Sequence, residues 1–201
     1  LFIYNMTTGA LVRKITASAS GGNGLSSPRA ADLNADGKAD YIYAGDLRGN
    51  LWKFDVRAST PATWGVAYGG SPMFVATDSG GTRQPISGGL ALARESASRI
   101  WVTFGTGRLI SFGDLSSTSV QSWYGLIDDG DISGPGTAIA NGRDDLEVRD
   151  IAAVGTLADG RVVRAFEAYS ALPGGVRGWV VDLDDPTPGE RVVSGPRISG
   201  R

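Results

Sequence analysis

The chain has 201 residues, of which 41% are hydrophobic and 20% charged, and its formal net charge is −2. This composition can supply a buried core, and it excludes an intrinsically disordered chain. The weak charge gives no electrostatic reason to expect nucleic-acid binding, and no apolar run approaches the roughly 18 residues that a membrane-spanning helix needs.

The sequence contains no cysteine and no histidine. These absences exclude disulfides, thiol nucleophiles, Ser-His-Asp triads and metal sites built from Cys or His ligands. The chain begins inside the apolar stretch LFIY, without an initiator methionine. This beginning predicts a fragment excised from a longer protein.

Short runs of aromatic and branched residues, bounded by Gly, Pro, Asn or Asp, predict an all-β chain. The runs are LFIYN at 1–5, YIYAG at 41–45, LWKFDV at 51–56, RIWVTFG at 99–105, RVVRAFEAY at 161–169, GWVVDL at 178–183 and RVV at 191–193. No stretch keeps a helical period for three turns. The best candidate for a short connecting helix is GGLALARESAS at 88–98.

Three segments repeat one order: an apolar strand, a polar residue, a turn and a returning strand. They begin near residues 1, 51 and 179, and their polar residues are Asn5, Asp55 and Asp182. Antiparallel hairpins that recur every ~40–50 residues are typical of propeller blades. We therefore predict a partial or modified β-propeller of consecutive four-stranded blades. A β-sandwich with unrelated hairpins is the alternative.

A full propeller of ~6–8 blades needs a longer chain than this one. Residues 1–201 are therefore predicted to be a fragment of a single propeller domain, with about four blades. Within it, Asp46, Gly49 and Asn50 have the chemistry of a tight turn. They predict that 41–45 and 51–55 are neighbouring antiparallel strands.

The stretch DLNADGKAD, at 32–40, matches the first nine positions of an EF-hand-type calcium loop. The candidate ligands are the side chains of Asp32, Asn34, Asp36 and Asp40 and the main-chain oxygen of Lys38. Alternate side-chain oxygens of a tightly curled loop converge on one point, and Gly37 permits the sharp turn. Position 12 holds Tyr43 instead of a bidentate Glu, so Asp40 is predicted to close a weaker site. An Asx-rich solvated turn is the alternative.

Residues 24–56, GLSSPRAADLNADGKADYIYAGDLRGNLWKFDV, resemble the calcium-binding blade in the C-terminal propeller of type IV pilus tip adhesins, the PilY family. The likeness continues in GGSPMFVA, RQPISGG, IWVTFGTGRLISFGDL, QSWYGLIDDG and RGWVVDLDDPTPGERVVSGP. The resemblance implies a modified propeller related to quinoprotein folds. It also implies a Ca²⁺ ion held by Asp32, Asn34, Asp36, Lys38 and Asp40.

The same resemblance implies a pilus-associated protein of the bacterial surface, exported through the periplasm. Its roles would be pilus biogenesis, twitching motility and surface attachment. Its partners would be minor pilins and host or abiotic surfaces, and further propeller segments would be needed. Two alternatives stay open: a quinoprotein-like dehydrogenase fragment and a generic calcium-stabilised propeller for protein interaction. The sequence contains no carboxylate pair in a recognisable pocket arrangement, which predicts a non-enzymatic protein.

The remaining motifs are predicted to have roles in packing, in loops or as contact surface. FGTGRL lacks the Lys-Ser/Thr of a phosphate-binding loop, so Gly105 and Gly107 are predicted to permit close backbone packing or a bulge. The acidic segments 128–131 and 184–190 are predicted to be solvated loops. Residues 131–147 are predicted to form a variable insertion or contact surface. The tryptophans are predicted to pack between blades; they are Trp52, Trp64, Trp101, Trp123 and Trp179.

Overall fold

The structure is a computed structural model that describes residues 1–18, 21–168 and 170–198. These residues form fourteen β-strands and three 3-10 helices, and they contain no α-helix. The all-β prediction is confirmed. Nothing in the described ranges is a helix long and apolar enough to cross a lipid bilayer.

The strands are β1 (Phe2–Tyr4), β2 (Leu11–Lys14), β3 (Arg29–Ala31), β4 (Tyr41–Gly45), β5 (Asn50–Asp55), β6 (Gly65–Val66), β7 (Phe74–Val75), β8 (Ala91–Ser96), β9 (Arg99–Gly105), β10 (Ser122–Asp128), β11 (Glu147–Arg149), β12 (Ile151–Thr156), β13 (Val162–Phe166) and β14 (Gly178–Asp182). The 3-10 helices are Pro61–Thr63, Phe112–Ser116 and Gly142–Asp145.

These strands build two large sheets and two separate hairpins. The first large sheet has the order β3-β4-β5-β6, with β7 also paired to β5, and the second has the order β11-β14-β10-β9-β8. The hairpins are β1-β2 and β12-β13. Each large sheet therefore has five strands where four were predicted, because β7 joins one and β11 joins the other in parallel. The number of blades, about four, stays a prediction.

The hairpin formed by β4 and β5 agrees with its prediction. The strands are antiparallel, in register from Tyr41 opposite Asp55 to Gly45 opposite Leu51. The buried carboxylate of Asp46 organises the turn, because it accepts hydrogen bonds from the backbone and side chain of Asn50 and from the indole of Trp52. Burial works to raise the pKa of Asp46, but hydrogen bonds from Asn50, Trp52 and Asn23 outweigh it and lower the pKa.

Gly49 ends this turn in the left-handed region, with φ of 79°. A Cβ there would lie 2.6 Å from the carbonyl oxygen of Gln84 and 2.9 Å from that of Ala76. We expect Gly49→Ala to destabilise the fold by about 2 kcal/mol or more, which lowers Tm by roughly 4–8 °C in a chain of this size. Gly65→Ala is the control, because its Cβ meets open space. Equal melting temperatures of the two variants would contradict this reading.

One candidate element and one predicted element do not form. The best candidate for a short helix, 88–98, instead contains strand β8, which pairs with β9 from Ala91 opposite Thr103 to Ser96 opposite Arg99. Pairing with the strongly apolar β9 outweighs the helix-forming tendency of alanine and leucine. The third predicted hairpin, starting near 179, does not form, because both edges of β14 are already paired, with β10 and β11.

The expected returning strand, 191–193, packs elsewhere. The backbone N–H of Val192 donates to the carbonyl of Thr106 at 2.8 Å. A Cβ added to Gly105 would collide with Val192, and one added to Gly107 would collide with Arg191. The predicted role of the two glycines in close packing is confirmed.

The main core lies between the two large sheets. It contains Tyr41 and Tyr43 from the first sheet and Val102, Phe104 and Tyr124 from the second. The rings of Phe104 and Tyr124 stack with centroids 5.2 Å apart. Burial raises the pKa of Tyr124 to about 12. Of the tryptophans, only Trp52 is buried, in a smaller cluster with Ile15, Ala44 and Phe54, and the other four are half-buried.

A buried ion pair joins the two large sheets. Lys53 on β5 and Asp128 at the end of β10 are both fully buried, and their Nζ and Oδ2 atoms are 2.6 Å apart. The Tyr43 hydroxyl donates to the same carboxylate at 2.5 Å, and Lys53 donates to the Pro135 carbonyl at 2.7 Å. Burial lowers the pKa of Lys53, although Asp128 opposes this shift. The prediction that 128–131 is a solvated loop is therefore wrong at Asp128, which is fully buried at the end of β10.

Segment 131–147 packs across the first large sheet. Its Pro135 carbonyl accepts hydrogen bonds from Lys53 and from the hydroxyl of Tyr68, and its Asp131 carbonyl accepts one from Tyr41. Ile139 is buried in the main core. The segment thus covers the sheet with these groups, but Ile139 and Leu146 are its only buried residues, and the rest of 131–147 is half-buried or exposed. Its role as a contact surface stays a prediction.

Candidate metal centre

All five predicted ligands lie on one loop, residues 32–40, which connects β3 to β4. The two strands are antiparallel, and Ala31 pairs with Tyr41 at the base of the loop. The backbone N–H of Asp40 donates to the carbonyl of Ala31 at 2.8 Å, which closes the loop. Asp40 is buried, and the other four candidate ligands are exposed.

The acidic side chains shape the loop by accepting hydrogen bonds from its backbone. The two carboxylate oxygens of Asp32 accept from the N–H groups of Ala35 at 2.7 Å and Gly37 at 2.8 Å. Asn34 and Asp36 each accept from the N–H two residues later. Ala35 and Gly37 have positive φ, 60° and 84°, which allows the tight curl. The predicted role of Gly37 in the turn is confirmed.

Asp40 reaches back across the loop. Its Oδ2 accepts the N–H of Leu33 at 2.7 Å, and its own carbonyl accepts the N–H of Val56 at 3.0 Å. The residue that was predicted to close the site therefore ties the end of the loop to its second position and to the end of β5.

The donor set fits Ca²⁺ by its chemistry: three carboxylates, one amide and one main-chain carbonyl are the hard oxygen ligands that this cation takes. Each carboxylate oxygen has two lone pairs, so an oxygen that accepts an N–H can still bind a cation. Across residues 1–18, 21–168 and 170–198, however, no three acidic side chains are arranged to hold a metal ion. Calcium binding would therefore require the carboxylates of the loop to draw together.

Two further residues, one inside the loop and one on β8, hold the loop in place and were not predicted from the sequence. Leu33 is the lone large apolar residue inside the polar loop, a signal that could have marked it as an anchor, and it is only 6% exposed. Its carbonyl accepts a hydrogen bond from the guanidinium of Arg94 on β8. Nothing in the local sequence around Arg94 indicated this contact, because it joins different sheets.

The connection between β9 and β10 exposes a group of large apolar side chains. These are Leu109 (49% exposed), Ile110 (67%), Phe112 (92%) and Leu115 (66%). The buried carboxylate of Asp114 holds the segment in shape, since it accepts the backbone N–H groups of Ile110 and Ser111 and pairs with Arg108 at 2.7 Å. Arg108 and Asp114 together carry no net charge, so the exposed apolar side chains lie beside a charge-balanced ion pair.

Comparison with known proteins identifies the family. Residues 1–147, more than half of the chain, match the family described as the PilY1 beta-propeller domain. The chain belongs to the PilY1 β-propeller family. The predicted membership of the PilY family is therefore confirmed.

Curated PilY1 proteins align with most of the chain. A type IV pilus biogenesis factor PilY1 homolog of Xylella fastidiosa is 35% identical over 100% of this chain and 14% of its own length. The type IV pilus biogenesis factor PilY1 of Pseudomonas aeruginosa strain PAO1 is 35% identical over 79% of this chain and 16% of its own length. The chain thus spans about one-seventh of the length of these relatives.

A solved structure supports the fold. The crystal structure of the Pseudomonas aeruginosa PilY1 C-terminal domain matches with a TM-score of 0.82 and 32% identity. The match covers 96% of this chain and 46% of that one. The two large sheets and their hairpins therefore match about half of a PilY1 C-terminal domain, in agreement with the modified-propeller prediction.

Proposed function

We propose that this chain is a calcium-binding structural module of the type IV pilus machinery. Its membership of the PilY1 family, whose relatives are named as type IV pilus biogenesis factors, supports the pilus role. The observation that carries the calcium assignment is the single loop at 32–40, where all five candidate ligands stand between two strands of the first large sheet.

The negative charge of the loop favours the binding of a cation. Asp32, Asp36 and Asp40 place three negative charges in nine residues, and the ammonium of Lys38 lies 3.8 Å from Asp36 but is 83% exposed. Water screens so exposed a pair, so Lys38 offsets little of the repulsion. A bound Ca²⁺ would offset two of the three negative charges and fix the start of β4. The missing position-12 Glu places the affinity in the range ~10⁻⁶ to 10⁻³ M.

The proposed setting is the bacterial cell surface. A pilus biogenesis factor acts with other pilus components, so we infer minor pilins as partners, export through the periplasm, and roles in twitching motility and surface attachment. The exposed apolar side chains of Leu109, Ile110, Phe112 and Leu115 support attachment to host or abiotic surfaces, because exposed apolar patches mark interaction sites. The role is non-catalytic. Quinone-dependent oxidation of alcohols or sugars that scaled with the purified protein would contradict this part.

The cellular test uses pilus-bearing bacteria whose chromosomal copy carries one substitution. Asp32→Ala is expected to reduce surface pili, twitching zones and attached cells, because it removes the first ligand of the loop. Lys38→Ala is the matched control from the same loop, since only its main-chain oxygen is a proposed ligand. Immunoblots must show equal protein levels. Normal piliation and motility with Asp32→Ala would contradict a role of the calcium site in pilus biogenesis.

A further inference from the structure

Leu33 connects the candidate calcium loop to the rest of the molecule in three ways. Its side chain belongs to the main core, which both large sheets share. Its N–H donates to Oδ2 of Asp40, a proposed ligand, at 2.7 Å. Its carbonyl accepts a hydrogen bond from Nη1 of Arg94, which lies on β8, the edge strand of the second large sheet.

The guanidinium of Arg94 donates to two backbone carbonyls, those of Leu33 and Ser96. Its Nε donates to the carbonyl of Ser96 at 3.2 Å, and no ion pair involves Arg94 in the part of the chain that the structure describes. A second contact runs in parallel, because Nε of Arg29 on β3 donates at 2.9 Å to the carbonyl of Leu90, just before β8. Two hydrogen bonds, one from Arg29 before Ala31 and one to Leu33 after it, thus connect the start of the loop to β8 and to the residue that precedes β8.

We propose that Leu33 and Arg94 transmit calcium occupancy from the loop to the second large sheet. The inference rests on the proposed calcium site. Drawing Asp32 and Asp40 onto an ion would fix the Leu33 peptide, because Asp32 precedes it in the chain and Asp40 bonds its N–H. A fixed carbonyl is a better aligned acceptor for the guanidinium. Calcium would then tighten the edge strand β8 against the loop, and Arg94 is a positioning residue for this coupling.

Coupling between two sites is reciprocal. If calcium strengthens the contact between Leu33 and Arg94, that contact must strengthen calcium binding by the same factor. Removing the donor with Arg94→Met is therefore expected to weaken calcium binding by about fivefold, the lower end of typical couplings, without abolishing it. Arg99→Met is the matched control, because Arg99 lies on the same hairpin but pairs with Glu95.

The test combines calcium titration with hydrogen exchange measured by mass spectrometry, with calcium and with chelator. In wild type and Arg99→Met, calcium is expected to slow amide exchange in β8 and β9 about fivefold or more. In Arg94→Met, this slowing should be lost while the slowing within 32–40 remains. Arg94→Lys keeps a charged donor and should retain part of the calcium-dependent slowing in β8 and β9. If Arg94→Met does not fold, the result for Arg94→Lys tests the relay instead.

The outcomes separate the two proposals. Calcium binding with unchanged exchange in β8 and β9 of the wild type would overturn the relay and leave the calcium site standing. Full calcium protection of these strands in Arg94→Met, or in Arg94→Lys where that variant is decisive, would also overturn it. Absence of both calcium heat and a calcium-dependent rise in Tm in the wild type would overturn the calcium site itself.

Discussion

Lys53→Met is expected to destabilise the fold by about 3–5 kcal/mol, the cost of leaving one partner of a buried ion pair uncompensated. Asp128 would lose its cationic partner in a site where both side chains are fully buried. The hydroxyl of Tyr43 donates to that carboxylate but cannot neutralise it. The Pro135 carbonyl would also lose its Lys53 donor. Urea denaturation of the variant and wild type measures the difference.

The double variant Lys53→Met with Asp128→Asn is expected to be more stable than Lys53→Met alone. It removes both charges and leaves an amide oxygen as acceptor for Tyr43. Arg161→Met is the surface control, because the pair of Arg161 with Asp159 is largely exposed. Such pairs contribute about 0–1 kcal/mol to the free energy of unfolding. A cost for Lys53→Met as small as that of Arg161→Met would show that the pair does not hold the sheets together.

Asp40→Ala is expected to abolish the stabilisation that calcium gives the wild type, which is about 2.7 kcal/mol at a hundredfold excess over Kd. Asp40 alone can replace the absent position-12 Glu, and its carboxylate also accepts the N–H of Leu33. The variant should therefore melt lower even in chelator, because a buried donor loses its acceptor. Thermal melts with calcium and with chelator give both effects.

Asp40→Asn separates the two contributions, because the amide oxygen can still accept the Leu33 N–H but carries no charge. It should keep more stability than Asp40→Ala in chelator and still lose the calcium response. Asp32→Ala should follow closely in its loss of calcium response. A full calcium-dependent rise in Tm for Asp40→Ala would remove this residue from the proposed ligand set.

Local chemistry made part of the fold predictable from the sequence. The turn residues Asp46, Gly49 and Asn50 lie next to the strands they join, so their pattern predicted the β4–β5 hairpin. Pairings between distant segments left no local pattern. The sequence did not indicate that β14 lies between β10 and β11, or that β9 recruits 91–96 as a strand. Lys53 reads as an ordinary polar position in LWKFD, and only the packed sheets show its partner.

The candidate metal site shows the same difference between local patterns, which the sequence predicts, and contacts between distant segments, which it does not. The spacing of acidic residues at 32–40 located the loop, and Gly37 has the predicted backbone conformation. The hydrogen bond between Leu33 and Asp40 and the contact of Leu33 with Arg94 depend on how the loop closes and which sheet lies beside it. Spacing alone carries no information on these contacts.

Calorimetric titration of the wild-type chain with Ca²⁺ tests the central claim most directly. We predict one ion per chain with Kd of ~10⁻⁶ to 10⁻³ M, weak competition by Mg²⁺ because it demands a tighter octahedron, lost binding in Asp40→Ala, and nearly unchanged binding in Lys38→Ala. If the wild type shows neither calcium heat nor a rise in Tm, the loop is only a polar turn and the account is contradicted. Lys38→Ala as damaging as Asp40→Ala would contradict the ligand assignment.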